Sequence, residues 1–219
     1  FDRYRENLVS LKCVIDAQGL PSTVVLVPAA GTVLKDKLPA NAQMYDARLM
    51  YGIAQDVFGD GVSLPDIYSA LSEHSGEYIY YRTDHHWTTM GAYLAYDCIM
   101  QGNGAYEGEL QKVSDSFLGT TYSKTLDSAA VPDEVYIAPV SDSLAVTADG
   151  KNIEVYDMSK LDTKDKYTVF FGGNRAMMLI KGGAQNGKTL LVIKDSFANS
   201  LVPFLTADYE NILMLDLRY

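Results

Sequence analysis

The strongest constraint on the fold is a pattern near the end of the chain. The apolar run Thr189–Ile193 is followed by Lys194-Asp195-Ser196-Phe197, a helix-like segment at 198–206 and a second apolar run at 212–215. Two buried-strand patterns separated by a helix predict a βαβ unit, in which the strands are parallel and the crossover is right-handed. The sequence therefore predicts an α/β domain with Ser196 at the carboxyl end of a strand.

Local signals predict the remaining elements. Helices are expected over 2–19, 41–58, 65–74 and from Thr88 or Thr89 to Gly102, with a buried parallel strand over 23–28. From 105 to 188, short β-like runs such as 135–137, 153–156 and 167–171 alternate with polar turns. We predict a single domain over 1–219, with 105–188 as an inserted β-rich lobe. Because the chain starts at Phe1 and stops directly after a strand, we expect it to be trimmed at both ends.

The composition of the chain limits the classes of molecule that it is expected to bind. The 219 residues are 47% hydrophobic, which is enough to form a sizeable core, and the net charge is −10. This charge argues against nucleic acid, because phosphate binding requires clusters of Lys and Arg. No apolar stretch reaches the ~18 residues of a membrane span. Cys13 and Cys98 have no metal-binding or redox spacing and are expected to be buried thiols on helices.

Two distant motifs carry catalytic residue types. Asp84-His85-His86-Trp87 holds two of the three histidines beside a carboxylate and the single tryptophan. In an extended segment residues i and i+2 face the same way, so Asp84 is expected to reach His86 while His85 points to the opposite face. Ser196 precedes a helix whose first turn offers N–H groups to an oxyanion. An Asp-His-Ser triad, with about 2.6–3.5 Å between serine oxygen and imidazole, is predicted.

Each motif has a simpler interpretation. Asp115-Ser116-Phe117 repeats the tripeptide around Ser196 without a preceding apolar strand, so the context of Ser196 carries the argument. Alone, Ser196 suits a helix N-cap and Trp87 suits core packing. The GxSxG elbow of α/β-hydrolases is absent. A metallophosphoesterase site on Asp84-His85-His86 would need further Asp and His ligands, so we expect no metal and no cofactor.

The two motifs resemble the DHHW proteins, relatives of the alginate O-acetyltransferases in the SGNH hydrolase-like superfamily. Further similarities are Val27-Pro28, Leu38-Pro39, Phe117–Lys124 and Asp216–Tyr219. The resemblance implies a three-layer α/β/α, flavodoxin-like domain with a mostly parallel sheet. By motif, Asp84, His86 and Ser196 correspond to the acid, base and nucleophile of the alginate relatives. Lys194 stands where SGNH signatures usually have Gly.

The resemblance also implies a function. It predicts serine-dependent acetyl transfer or ester hydrolysis on an extracellular or cell-wall glycan of a bacterium, through an acetyl-serine intermediate. The partners would be a carbohydrate acceptor and an acetyl donor, with a membrane anchor or signal peptide upstream of the chain. The alternative is a catalytically silent module that binds glycan or peptide at the cell surface.

Further residues are candidates for the same site. Gly172-Gly173-Asn174 supplies residue types of an oxyanion hole, with Asn174 as the candidate and Asn199 as a second; a tight turn is an equally good interpretation. The substrate-binding candidates are Trp87, Arg82, Arg175 and Tyr122. We expect the 105–188 lobe to form an acceptor groove beside Ser196, the alternative being a lobe on the opposite edge that only extends the core.

Overall fold

A computed structural model describes all residues, 1–219. The chain forms two compact units, Phe1–Gly76 and Glu77–Tyr219. The N-terminal unit is helical: its helices are α1 (Asp2–Gln18), α2 (Ala30–Val33), α3 (Ala47–Phe58) and α4 (Ile67–Glu73), with 3₁₀ turns at Lys35–Lys37 and Gly59–Gly61. None of the helices in either unit is long and apolar enough to cross a bilayer.

Helix ends in the N-terminal unit follow local chemistry. Gly19 closes α1 in the left-handed region at φ 61°, where a glycine carries no steric penalty. Asp46 caps α3 by accepting a hydrogen bond from the backbone of Leu49, and Asp66 caps α4 by accepting one from Ser69. The predicted helix over 41–58 therefore begins at residue 47, one residue after its capping carboxylate.

The predicted strand over 23–28 is wrong. Its only β-interaction is a single parallel bridge between Thr23 and Ser63. The apolar side chains of Val24 and Leu26 instead pack on a helical core that includes Phe58. Burial against helices explains the apolar run without a sheet, since a short buried run has the same composition in either setting.

The C-terminal unit carries all the strands. Its helices are α5 (Thr89–Met100), α6 (Thr120–Thr125) and α7 (Ala198–Leu205), with 3₁₀ turns at Met158–Asp162 and Lys166–Val169. Its strands are β1 (Gln111–Phe117), β2 (Asp133–Ile137), β3 (Ala145–Ala148), β4 (Lys151–Ile153), β5 (Met177–Lys181), β6 (Thr189–Ile193) and β7 (Asn211–Leu215). Strands β1 and β2 form one sheet, and the other five form a second sheet in the order β4-β3-β5-β7-β6.

The five-stranded sheet is mixed. Strands β6 and β7 are parallel, with Thr189 opposite Asn211 and Ile193 opposite Leu215, so the predicted βαβ unit is present as β6-α7-β7. The pairings β3–β4, β3–β5 and β5–β7 are antiparallel. The α/β class is confirmed, but the prediction of a mostly parallel sheet is wrong. Two adjacent parallel strands must be joined by a long crossover connection, usually a helix. In this sheet α7 is the only helix that makes such a connection, between β6 and β7.

The inserted lobe expected over 105–188 stays a prediction. The strands of this segment belong to two different sheets. Strands β1 and β2 pair only with each other, whereas β3, β4 and β5 are continuous with the sheet that contains β6 and β7. The strand predicted over 167–171 is wrong, because residues Lys166–Val169 form a 3₁₀ turn. Tyr167 and Val169 of this turn and the following Phe170 are buried, so tertiary packing overrides the β propensity of the segment.

The cysteines differ in environment. Cys13 on α1 is an exposed thiol, so the expectation that both cysteines are buried is wrong for this residue; Cys98 on α5 is partly buried. The hydrophobic face of α1 that packs toward α3 is occupied by residues such as Leu8, which leaves position 13 facing solvent.

Candidate active site

The turn that precedes Asp84 is folded around the buried carboxylate of Asp133. One oxygen of Asp133 accepts hydrogen bonds from the Arg82 backbone N–H at 2.9 Å and the Tyr78 hydroxyl at 2.6 Å. The other accepts the backbone N–H of Thr83 at 2.8 Å and its hydroxyl at 2.5 Å. Four donors satisfy a carboxylate that has no exposed surface. This network fixes the backbone that delivers Asp84.

Asp84, His86 and Ser196 form one chain of hydrogen bonds. Nδ1 of His86 lies 2.5 Å from Oδ1 of Asp84, and Nε2 of His86 lies 2.8 Å from Oγ of Ser196. Oδ1 of Asp84 also accepts the backbone N–H of His86 at 3.1 Å. Asp84 and His86 are buried, whereas Ser196 is partly exposed. The serine–imidazole distance lies within the range expected of a nucleophile and its base.

The prediction that His85 and His86 point to opposite faces is wrong. Such alternation occurs in an extended strand, but residues 82–86 form a bend. In the bend the rings of His85 and His86 lie side by side, with centroids 3.9 Å apart, and Nδ1 of His85 is 3.5 Å from the Asp84 carboxylate. His86 contacts Ser196 because of the tertiary position of the bend, and not because its neighbour points the other way.

The second oxygen of Asp84 is held by the start of α6. Oδ2 accepts both the backbone N–H and the hydroxyl of Thr120, each at 2.8 Å. Burial by itself raises the pKa of the Asp84 carboxyl, but the hydrogen bonds from His86 and Thr120 outweigh it and hold the pKa well below its usual value. Asp84 is therefore a carboxylate at neutral pH and fixes the orientation of the imidazole.

Gly119 permits this close approach. A Cβ atom at position 119 would lie 2.4 Å from Cβ and 2.5 Å from Oδ2 of Asp84. We predict that Gly119→Ala displaces the Asp84 carboxylate and lowers any esterase activity by about 100-fold, because ångström-scale misplacement of a catalytic group is costly. The matched control is Gly76→Ala, since a Cβ there meets nothing within 4 Å. Equal activity of both variants would contradict the assignment of Asp84.

Tyr167 contacts both His86 and Ser196. Its ring stacks on that of His86 with centroids 3.8 Å apart and an angle of 8°. Its hydroxyl donates to the backbone carbonyl of Ser196 at 2.9 Å and lies 3.1 Å from Oγ of Ser200. Burial raises the pKa of Tyr167, so the hydroxyl remains protonated. From the sequence Tyr167 is one of several tyrosines of the 105–188 segment whose rings could stack on a sugar; its contacts with His86 and Ser196 are not predicted, because the segment is predicted to be a strand and forms a 3₁₀ turn.

The side chain of Asn174 is positioned by two buried residues, Lys194 and Asn199. Its Oδ1 accepts hydrogen bonds from Nζ of Lys194 at 3.2 Å and Nδ2 of Asn199 at 3.0 Å. The amide N–H groups of Asn174 remain available to another acceptor. Lys194 is buried and also lies 3.4 Å from Asp216; burial lowers its pKa, while Asp216 opposes this effect. Lys194, at the position where SGNH signatures usually have Gly, therefore orients Asn174, the candidate for the oxyanion hole.

The glycines before Asn174 serve the turn. Gly172 and Gly173 have φ values of 67° and 100°, a region that disfavours side chains with a Cβ. The turn interpretation of Gly-Gly-Asn is thus correct, and it coexists with the hydrogen bonds that orient the Asn174 side chain. Its role toward an oxyanion stays a prediction.

Trp87 is a core residue. Its side chain is fully buried, and Nε1 donates to the carbonyl of Phe197 at 3.1 Å and to Oγ of Ser200 at 2.9 Å. The substrate-binding assignment is wrong, because no surface of the ring is accessible. Trp87 instead ties the histidine motif to the first turn of α7.

The arginines and Tyr122 lie around the site. Arg82 stacks over the ring of Tyr78, 4.7 Å from its centroid, and lies 3.8 Å from Asp133, so its contacts are with the supporting network. Arg175 is partly buried directly after Asn174. The backbone N–H of Tyr122 donates to the Thr83 carbonyl at 3.0 Å, which places α6 beside the Asp84 turn. Substrate binding by Arg82, Arg175 and Tyr122 stays a prediction.

Asp84, His85 and His86 also have the spacing of metal ligands, because their ligand atoms lie within 4.8 Å of one another. Asp84 and His86 are already hydrogen-bonded to each other at 2.5 Å. An ion ligated through these two atoms would have to replace that bond, so the geometry suits proton transfer better than metal binding.

Comparisons with known proteins agree with this description. No curated protein matches the chain. A DHHW family protein from Eubacterium siraeum is 27% identical, with a TM-score of 0.72, over 91% of this chain and 70% of that one. PatB1 of Bacillus cereus, in a structure with a sulfonyl adduct, is 21% identical, with a TM-score of 0.74, over 99% and 79% of the two chains. The O-acetyltransferase domain of Pseudomonas putida AlgJ is 14% identical, with a TM-score of 0.57, over 96% and 69%.

The fold is therefore shared with the O-acetyltransferase domain of AlgJ, and the resemblance found in the motifs is confirmed. The model of the DHHW protein family matches residues 33–215, which is most of the sequence, and the chain belongs to the DHHW family.

Proposed function

We propose that this protein is a serine-dependent O-acetyltransferase or acetylesterase that acts on a glycan. The observation that carries the proposal is the continuous hydrogen-bonded chain from Asp84 through His86 to Ser196, at 2.5 and 2.8 Å. A hydroxyl at this distance from an imidazole, itself oriented by a carboxylate, is the arrangement that activates a serine.

In the first half-reaction His86 takes the hydroxyl proton of Ser196 as Oγ attacks the acyl carbonyl of the donor. The amide of Asn174 and N–H groups of the turn before α7 would stabilise the oxyanion. Collapse of the tetrahedral intermediate expels the donor's leaving group, which takes the proton from His86. The product is acetyl-serine, and Asp84 remains a carboxylate throughout.

In the second half-reaction an acceptor hydroxyl transfers its proton to Nε2 of His86 and attacks the acetyl-serine carbonyl. Oγ of Ser196 leaves and recovers the proton from His86. A sugar hydroxyl as acceptor gives acetyl transfer, and water gives hydrolysis. A carbohydrate acceptor is supported by the resemblance of the motifs to the alginate O-acetyltransferases, together with the fold shared with the AlgJ O-acetyltransferase domain. We place the reaction at or outside the bacterial cell surface.

The test is formation of the acyl-enzyme. Incubation with p-nitrophenyl acetate should release a burst of about one p-nitrophenol per protein, and mass spectrometry of the quenched protein should find acetyl on the peptide containing Ser196. Phenylmethanesulfonyl fluoride should sulfonylate the same serine and abolish the burst. A chelator should change neither result.

Three outcomes would contradict the proposal. A folded protein with no burst and no labelling would indicate the silent binding module. Loss of activity with chelator would indicate a metal-dependent reaction. Acetyl on another residue, with Ser196 unmodified, would remove the triad.

A further inference from the structure

His85 lies beside the proposed triad without belonging to it. Its side chain is 53% exposed, and its ring centroid is 3.9 Å from that of His86 and 5.9 Å from that of Phe197. The two half-reactions assign every proton to Ser196, His86 and the substrates. A partly exposed imidazole in direct contact with the base is therefore a group that the mechanism leaves unused.

The hydrogen bonds of Thr120 fix the tautomer of His85. The Thr120 hydroxyl has a single proton, and it donates that proton to the Asp84 carboxylate, the stronger acceptor, at 2.8 Å. Toward Nδ1 of His85, at 2.9 Å, the same oxygen must accept. Nδ1 of His85 therefore carries the hydrogen.

The other nitrogen of His85 is then an acceptor. Burial lowers the pKa of His85, and the adjacent His86 lowers it further, so the ring is neutral at neutral pH. In neutral imidazole only one nitrogen is protonated, which leaves a lone pair on Nε2. This nitrogen makes no hydrogen bond within the protein, so a lone pair beside the base is open to a ligand's hydroxyl group.

We propose that His85 is a specificity residue that binds the acceptor, and that the preferred acceptor has two adjacent hydroxyl groups, as a sugar ring has. This inference rests on the proposed function. The attacking hydroxyl gives its proton to His86, and its oxygen forms the new bond to the acetyl carbon. The neighbouring hydroxyl donates a hydrogen bond to Nε2 of His85 and keeps its proton, so no additional reactant is required.

The experiment compares two small acetyl acceptors that differ in one hydrogen-bond donor. Acetyl-enzyme formed from p-nitrophenyl acetate is offered ethylene glycol together with its monomethyl ether, and the two acetate esters are quantified per attacking hydroxyl. The ether retains the second oxygen but cannot donate a hydrogen bond. The wild-type protein should favour the diol about five- to tenfold, the value of one hydrogen bond.

Three variants locate the effect. His85→Asn retains an N–H for Thr120 but has no acceptor at the Nε2 position, so the diol preference should fall to about one. His85→Gln can place an amide oxygen near the Nε2 position and should recover part of the preference. His74→Asn, at the end of α4, is the matched control and should retain the wild-type preference. The ratio compares two products of one acyl-enzyme, so a change in folded fraction does not alter it.

The results separate the two proposals. A normal burst with no diol preference in the wild-type protein, or a preference that His85→Asn leaves intact, would overturn the assignment of His85 while leaving the triad in place. Absence of an acyl-enzyme in the wild-type protein would remove both proposals.

Discussion

Replacing Ser196 with alanine is expected to lower ester turnover by about 10⁴- to 10⁶-fold, because the nucleophile and the covalent intermediate are lost together. Oγ of Ser196 is the atom that lies 2.8 Å from Nε2 of His86. Initial rates with p-nitrophenyl acetate, corrected for hydrolysis in buffer, measure the effect. The thermal melting temperature should stay close to that of the wild-type protein.

The chain offers a matched control for this variant. Ser116 stands in the same Asp-Ser-Phe tripeptide but lies exposed on β1, where its hydroxyl is 3.4 Å from that of Ser114. Ser116→Ala should retain full activity. His86→Ala should match Ser196→Ala, and the double variant should lose little more, because residues that act as one unit are not additive. Full additivity of the two losses would argue against a shared step.

Asp84→Asn is expected to lower turnover by about 10⁴-fold with little change in binding of the ester. The carboxylate accepts hydrogen bonds from Nδ1 of His86 on one oxygen and from Thr120 on the other. An amide has only one oxygen, so it cannot accept both in this way. An amide N–H that faced Nδ1 would also impose the wrong tautomer on His86. A kcat that falls while KM stays within a few-fold would support this role. A loss confined to KM would mean that Asp84 only shapes the binding surface.

The same variant should change the acid sensitivity of the fold. The pKa of Asp84 is lowered in the folded protein, and its unfolded value is about 3.9. Its interactions therefore add stability above about pH 4, and that contribution is lost as the pH falls further toward the folded pKa. In urea unfolding, the stability difference between wild type and Asp84→Asn should shrink below pH 4. A difference that grows with acid would contradict the depressed pKa.

Elements with local signals were predictable from the sequence. Gly19 ends α1, Thr88 caps α5 through the backbone N–H of Gly91, and β6-α7-β7 follows its apolar pattern. Each depends on residues that are close in the chain or on a hydrophobic period. The order of the sheet was not predictable in this way, because pairing of β5 with both β3 and β7 depends on contacts between distant segments.

The candidate site likewise contains residues that the sequence predicts and residues that only distant contacts reveal. The sequence predicts Asp84, His86 and Ser196, because carboxylate, imidazole and hydroxyl are the residue types of one reaction and because their context resembles a family. The residues that hold them were missed: Asp133 bonds Thr83 from 50 positions away, and Thr120 bonds Asp84 from 36. Thr120 lies in the family-like segment Phe117–Lys124, but nothing in that segment identifies Asp84 as its partner, and nothing near Asp133 in the sequence marks its bond to Thr83.

The sequence by itself determined the candidate reacting groups, helix ends such as those at Gly19 and Thr88, and the βαβ unit that presents Ser196. Only the tertiary structure decided that residues 82–86 bend, that Tyr167 stacks on His86 at 3.8 Å and that Trp87 is core. The physical reason is the range of the interactions. Capping and periodicity act over a few residues, whereas burial and the pairing of buried polar groups are satisfied by whichever distant segments the fold brings into contact.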